Sequence, residues 1–162
     1  MKKIIAVLSA VALLGLYACN NDINRVFDPG TPLVEFQPAV LNANSVGRTY
    51  PLISVTNSVT AGNTITTQLN LVGRQRATDL TVQVRPDIGT NATTALASSY
   101  TLSNGGTVVF APNSSTAAMT ISVGRATGAT APIANIVLLI DSTSTDYKPS
   151  RNYMRVGYSF RQ

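Results

Sequence analysis

The run Ile65-Thr66-Thr67-Gln68-Leu69-Asn70-Leu71 sets Ile65, Thr67, Leu69 and Leu71 on one side and Thr66, Gln68 and Asn70 on the other. Side chains of a strand alternate between two faces, so this spacing predicts a strand with one face buried and one wet. Leu80-Thr81-Val82-Gln83-Val84-Arg85 repeats the pattern, and Pro86, which has no amide hydrogen for a ladder, ends it. Arg74 and Arg76 then flank a turn between these two strands.

Outward from this pair the chain keeps the same character. On the N-terminal side, Leu33-Val34-Glu35-Phe36 and Leu52-Ile53-Ser54-Val55 are short candidate strands. On the C-terminal side, Tyr100-Thr101-Leu102 leads into an Asn104-Gly105-Gly106 turn, and Thr107 to Phe110 follows, stopped by Pro112-Asn113. Met119, Ile121 and Val123 alternate with Thr120 and Ser122; Met154, Val156, Tyr158 and Phe160 alternate with Arg155, Gly157 and Ser159. Ile136-Val137-Leu138-Leu139-Ile140 is apolar throughout, which places it centrally and buried on both faces. No helical periodicity stands out. Seven or eight short strands with turn residues about every ten positions predict an all-β, antiparallel, immunoglobulin-like β-sandwich. A small closed barrel is the alternative.

Composition narrows the function classes. The chain has 162 residues, no His, no Trp and one Cys. Lack of His removes the commonest general base and zinc ligand, and a single Cys cannot form a disulfide within the chain. The formal charge is +5, but Lys2 and Lys3 sit at the extreme N-terminus; without them ten basic and seven acidic residues leave +3. The arginines are scattered, with no basic stripe and no interleaved aromatics, so the sequence predicts no nucleic-acid partner. No metal, cofactor or catalytic residue is expected either.

The N-terminus reads as a lipoprotein signal. Lys2 and Lys3 are followed by a mostly apolar run, Ile4 to Leu16, shorter than the roughly 20 residues of a spanning helix. Leu16-Tyr17-Ala18-Cys19 resembles the lipobox of bacterial lipoproteins, with an aliphatic residue three before the cysteine and a small one directly before it. Tyr17 is bulkier than is usual at its position. The resemblance implies removal of residues 1–18 and lipidation of Cys19, and two or more acyl chains hold a protein stably to a membrane. Residues 19–32 are polar, with Pro29-Gly30 and Pro32, and read as a flexible tether. Residues 33–162 are then a single sandwich domain.

A second resemblance lies further on. Leu69 to Val84, Ser99-Tyr100-Thr101-Leu102, Gly106 to Ser115, and Asp146-Tyr147-Lys148-Pro149-Ser150-Arg151-Asn152-Tyr153 resemble uncharacterised domains of Bacteroidetes surface lipoproteins, often encoded beside outer-membrane glycan-import systems. The same stretch is similar to the Calx-β module, an immunoglobulin-like sandwich. Those modules bind calcium through clustered acidic side chains. Here Glu35, Asp79, Asp87, Asp141 and Asp146 are well separated, while calcium takes six to eight oxygen ligands, so calcium binding is not carried over.

The candidate binding residues are few. Arg74 and Arg76 would meet anionic sugars or lipid phosphates, or simply keep a hairpin loop solvated. Tyr147 and Tyr153 are free to be exposed and to contact ligand, whereas Tyr158 shares the apolar face of Val156 and Phe160. Asp141-Ser142-Thr143 resembles the acceptor of the Bacteroidetes O-glycosylation system, which would make Ser142 the modified residue. The reading that follows is a non-catalytic accessory lipoprotein anchored in the outer membrane, surface-exposed, with a glycan or an outer-membrane protein as partner. The alternative is a structural subunit of a surface fibre or envelope complex, cut after Arg48 to open an edge for strand exchange.

Overall fold

The computed structural model describes residues 31–89 and 92–162. The expected signal, Cys19 and the tether up to Gly30 lie outside the described residues. In chain order the strands are β1 (Leu33–Phe36), β2 (Leu52–Ser54), β3 (Asn63–Val72), β4 (Leu80–Pro86), β5 (Tyr100–Leu102), β6 (Thr107–Phe110), β7 (Thr116–Val123), β8 (Ile133–Ile140), β9 (Lys148–Pro149) and β10 (Arg155–Arg161). One helical turn, α1 (Gln37–Leu41), separates β1 from β2.

Two five-stranded sheets stack face to face, in the orders β5-β7-β3-β1-β9 and β2-β10-β8-β4-β6. The alternation read from the sequence is the alternation observed. In the first sheet, Val34 lies opposite Leu71 and Phe36 opposite Leu69. In the second, Val156 faces Leu138, Tyr158 faces Ile136, Leu80 faces Phe110 and Val82 faces Val108. All of these side chains point between the sheets and are buried there, and such directly opposed apolar pairs are what hold a sheet's register. The long strands follow immunoglobulin order: β7-β3-β1 in one sheet, β10-β8-β4 in the other. The departure from that order is that β5 joins the first sheet before β6 joins the second.

Thr67 is a polar residue on the buried face, and it is fully buried. Its hydroxyl meets the Tyr158 hydroxyl at 2.8 Å, one from each sheet. Each group satisfies the other, which removes the cost of burying an unpaired hydroxyl. Burial pushes the Tyr158 phenol above its ordinary value, and the Thr67 contact partly offsets that.

β8 is buried on both faces, as its unbroken apolar run predicts. Ile136, Leu138 and Ile140 face the inter-sheet core, while Val137 packs with Tyr50 and Ala92 on the outer side. The loop after β4 covers that outer side, with the Thr93 hydroxyl donating to the Val137 carbonyl and accepting the Val137 amide.

Three expectations need correction. The sheets are mixed, because β1 runs parallel to β9 and β2 parallel to β10. Both parallel pairs join segments about a hundred residues apart, and parallel pairing needs a long connection that local alternation does not encode. The described residues form ten strands rather than seven or eight, because β5 and β9 are only three and two residues long, too short to show an alternation. The chain also makes a helical turn where no helical pattern was read. At five residues α1 is too short to show a period, and Pro38 near its start already has a helical φ.

Candidate functional site

The segment between β9 and β10 is held by backbone bonds rather than by strand pairing. The Ser150 amide donates to the Val34 carbonyl at 2.8 Å, the Phe36 amide to the Tyr153 carbonyl at 3.0 Å, and the Tyr153 amide to the Ser150 carbonyl at 3.0 Å. A tight turn along β1 results, and Tyr153 stands out of it, 37% exposed. Opposite, the chain leaves α1 through Asn42, whose side-chain amide donates to the Pro38 carbonyl at 2.7 Å. Ser45 then pins the loop back: its amide donates to the Tyr50 carbonyl and its hydroxyl accepts the Leu52 amide.

These two loops form the walls of a cleft of about 780 Å³, lined by residues 39–44, Thr49 and residues 151–155. It presents one aromatic ring, the amides of Asn42, Asn44 and Asn152, the guanidinium groups of Arg151 and Arg155, and the exposed Val40 and Leu41 on α1. Aromatic faces with a few convergent polar groups are the usual lining of a small-ligand site. The walls carry no carboxylate and no thiol.

Behind the cleft lies a charge that the sequence reading passed over. Asp87 is buried, and its carboxylate accepts the Arg155 Nε at 2.8 Å and the Gly89 amide at 3.0 Å. Arg155 and Thr49 also line an adjoining hollow of about 440 Å³ that contains Arg48, Tyr50 and Asp87. There the Arg48 guanidinium lies 5.5 Å from the centre of the Tyr50 ring, and its Nη1 donates to the Tyr50 hydroxyl at 2.6 Å. Arg48, the expected cleavage point of the fibre alternative, is therefore half-buried and engaged.

The four expected contact residues do not converge. Tyr153 lines the cleft just described. Arg74 and Arg76 line a separate hollow of about 590 Å³ with Thr78 and Asn113, on the connection from β3 to β4; those strands lie in different sheets, so this loop crosses from one sheet to the other and closes no hairpin. Arg76 Nη1 donates to the Asp146 carbonyl at 3.3 Å, and Arg74 is exposed. Tyr147 is corrected outright. It is 2% exposed and belongs to the core, with its hydroxyl accepting the Gln83 amide at 3.3 Å, and burial pushes its phenol up. Its neighbours Asp146 and Lys148 are exposed, so local polarity pointed the wrong way; a tyrosine can fill a core when its hydroxyl finds a partner.

Ser142 is exposed in the turn after β8. Beside it, the Thr143 hydroxyl donates to the Asp141 carboxylate at 2.5 Å, and the Arg85 guanidinium stands 3.6 Å from the same group. The Thr143 hydroxyl is the main cause holding Asp141 below the usual carboxylate range, with Arg85 adding to it. Among the described residues, no three side chains of the metal-binding types come together, and no helix is long and apolar enough to cross a membrane.

The cleft's other residues escaped the sequence reading for identifiable reasons. In the sequence Arg155 is one of the residues alternating with the apolar face of the last strand, and Arg151 stands out only as part of the Asp146-to-Tyr153 segment that carries the resemblance. The usable signal was their spacing, Arg151-Asn152-Tyr153-Met154-Arg155, with two cations placed symmetrically about an aromatic. Asn42, Asn44 and Asp87 carried no local signal.

No protein-family model matches the chain, and no curated protein matches it significantly. Solved structures do share the fold, which defines the class: an all-β, two-sheet module of the kind present in several Bacteroides proteins. One is a candidate carbohydrate-binding protein from Bacteroides ovatus, with a TM-score of 0.54 at 12% identity over 81% of this chain and 37% of that one. Another is EndoBT-3987 of Bacteroides thetaiotamicron, solved with a Man5GlcNAc product (TM-score 0.50, 14% identity, 68% of this chain and 28% of that one). A third is a two-domain protein of unknown function from Bacteroides fragilis (TM-score 0.51, 11% identity, 88% and 50%). The chain therefore spans half or less of the length of each.

Proposed function

We propose that this chain is a non-catalytic accessory lipoprotein of the cell envelope, fastened to the outer membrane through Cys19, and that it holds glycan in the cleft around Tyr153. The cleft carries the reading. An exposed ring supplies a flat face for the C–H face of a sugar, and three asparagine amides on two facing loops supply paired donors and acceptors for hydroxyls. Walls without a carboxylate suit binding better than glycoside cleavage, which ordinarily needs two acids flanking the bond. The resemblance of the B. ovatus structure supports the same direction at the level of fold.

The test is a glycan screen with the mature protein and its Tyr153→Ala variant. Specific glycans should be retained by the native chain and weakened at least tenfold by the substitution, the effect typical of a central aromatic contact. Tyr153 is exposed, so circular dichroism of the variant should be unchanged. An empty screen, or glycans held equally by both proteins, would remove the cleft from consideration.

The envelope placement has its own test, which also reports on Ser142. On intact cells, protease should shave the native domain from the surface, and Cys19→Ala should release the protein from the membrane. Intact mass should show diacylglyceryl on Cys19 and a glycan increment lost in Ser142→Ala; the exposed setting of Ser142 favours that modification. A protected domain would turn the module toward periplasmic partners, and an unmodified mass would end the reading of Ser142 as an acceptor.

A further inference from the structure

The cleft around Tyr153 is framed by charge of one sign. Arg151 is exposed and, among the described residues, makes no hydrogen bond or ion pair. Arg155 is held differently. Its Nε is pinned to the buried Asp87 carboxylate at 2.8 Å, and the Gly89 amide orients that carboxylate from its other oxygen. The two terminal nitrogens of Arg155 have no partner among the described residues, on a side chain 38% exposed. A guanidinium anchored at one nitrogen and open at the others is a pre-set fork, with little left to order when a ligand arrives.

A neutral sugar would use the Tyr153 ring and the asparagine amides and leave both forks empty. A carboxylate or sulfate ester on the sugar offers a planar or tripodal set of oxygens that a guanidinium engages with two parallel hydrogen bonds. The lining contributes no carboxylate to repel such a group, and Asp87, in the adjoining hollow, is paired with Arg155. Building on the reading of this cleft as a glycan site, we infer that it selects glycans bearing an anionic substituent, a uronate or a sulfate ester, over their neutral counterparts. Arg155 is the fixed fork and Arg151 the free one.

Matched pairs test this. Calorimetric titration of detergent-solubilised mature protein would compare a tetragalacturonide with its carboxyl-reduced form, and a sulfated galactan oligosaccharide with its desulfated form. In one pair or both, the anionic member should bind at least tenfold more tightly at low salt, with the gap narrowing as salt rises. Arg151→Gln should shrink the gap severalfold, by weakening the anionic member; being exposed, it should not disturb the fold, whereas Arg155→Gln would strand the buried Asp87. Equal affinity within both pairs, lost in Tyr153→Ala, would overturn charge selection and leave the glycan site standing. Anionic binding indifferent to both Arg151→Gln and Tyr153→Ala would also overturn it, by moving recognition elsewhere on the molecule. Arg151-dependent capture of phosphatidylglycerol vesicles with no sugar bound would overturn it in favour of a lipid headgroup, and no binding to any member of either pair would overturn it as well.

Discussion

Replacing Phe36 with alanine is expected to lower the unfolding free energy by about 3–5 kcal/mol. Phe36 is fully buried between the sheets at the end of β1, directly across from Leu69. Truncation deletes a ring's worth of apolar burial and leaves a hole that close-packed strands cannot collapse to fill. Since a domain of this size is stable by only about 5–15 kcal/mol, the loss is a large share of the total. In urea, with a slope of about 1–3 kcal/mol per molar, the midpoint should fall by 1 M or more with the slope unchanged. Leu41→Ala is the control. Leu41 lies five residues on, is 71% exposed, and should shift the midpoint little. Similar losses for both variants would mean that β1 does not pack in the core as described.

Gly106→Ala is expected to be comparably severe, at about 3–5 kcal/mol, for a different reason. Asn104, Gly105 and Gly106 take φ of 48°, 61° and 86° in succession, the left-handed region that turns β5 into β6. At Gly106 a Cβ would sit 2.1 Å from the Val84 carbonyl oxygen on β4. Backbone cannot give way there as a flexible side chain would, so the turn must lift off the sheet. Gly105→Ala separates the two contributions. It has the same sign of φ but nothing within 4 Å of the added carbon, so it should cost only the conformational term, about 1–2 kcal/mol. Thermal melts of the two variants settle the matter: if they melt together, Gly106 is conserving a dihedral rather than a close approach to β4.

The pair also marks where sequence reading stops. Asn-Gly-Gly announces a left-handed turn from composition alone, because glycine and asparagine adopt positive φ cheaply. Which of the two glycines touches another strand is a property of the fold, since Val84 lies more than twenty residues away in sequence. Thr67 behaves likewise. Its place on the apolar face of β3 was evident from the period, but the reason a hydroxyl is tolerated there is Tyr158, ninety-one residues further on.

By itself the sequence determined that the chain forms short strands, which residues face inward, and that β8 lies at the centre of a sheet. Those features depend on alternation and on turn chemistry, which are local and of period two. It also determined that catalysis by histidine is impossible, because the residue is missing from the chain. Only the tertiary structure decided the rest: that β1 and β2 pair in parallel with segments near the C-terminus, that Tyr147 is core, and that Tyr153 faces Asn42 and Asn44 across a cleft with Arg155 held by Asp87. Each of these joins residues roughly seventy to over a hundred positions apart. Such contacts follow from how two sheets stack and which loops meet at their edge, and no local pattern in either partner records the other.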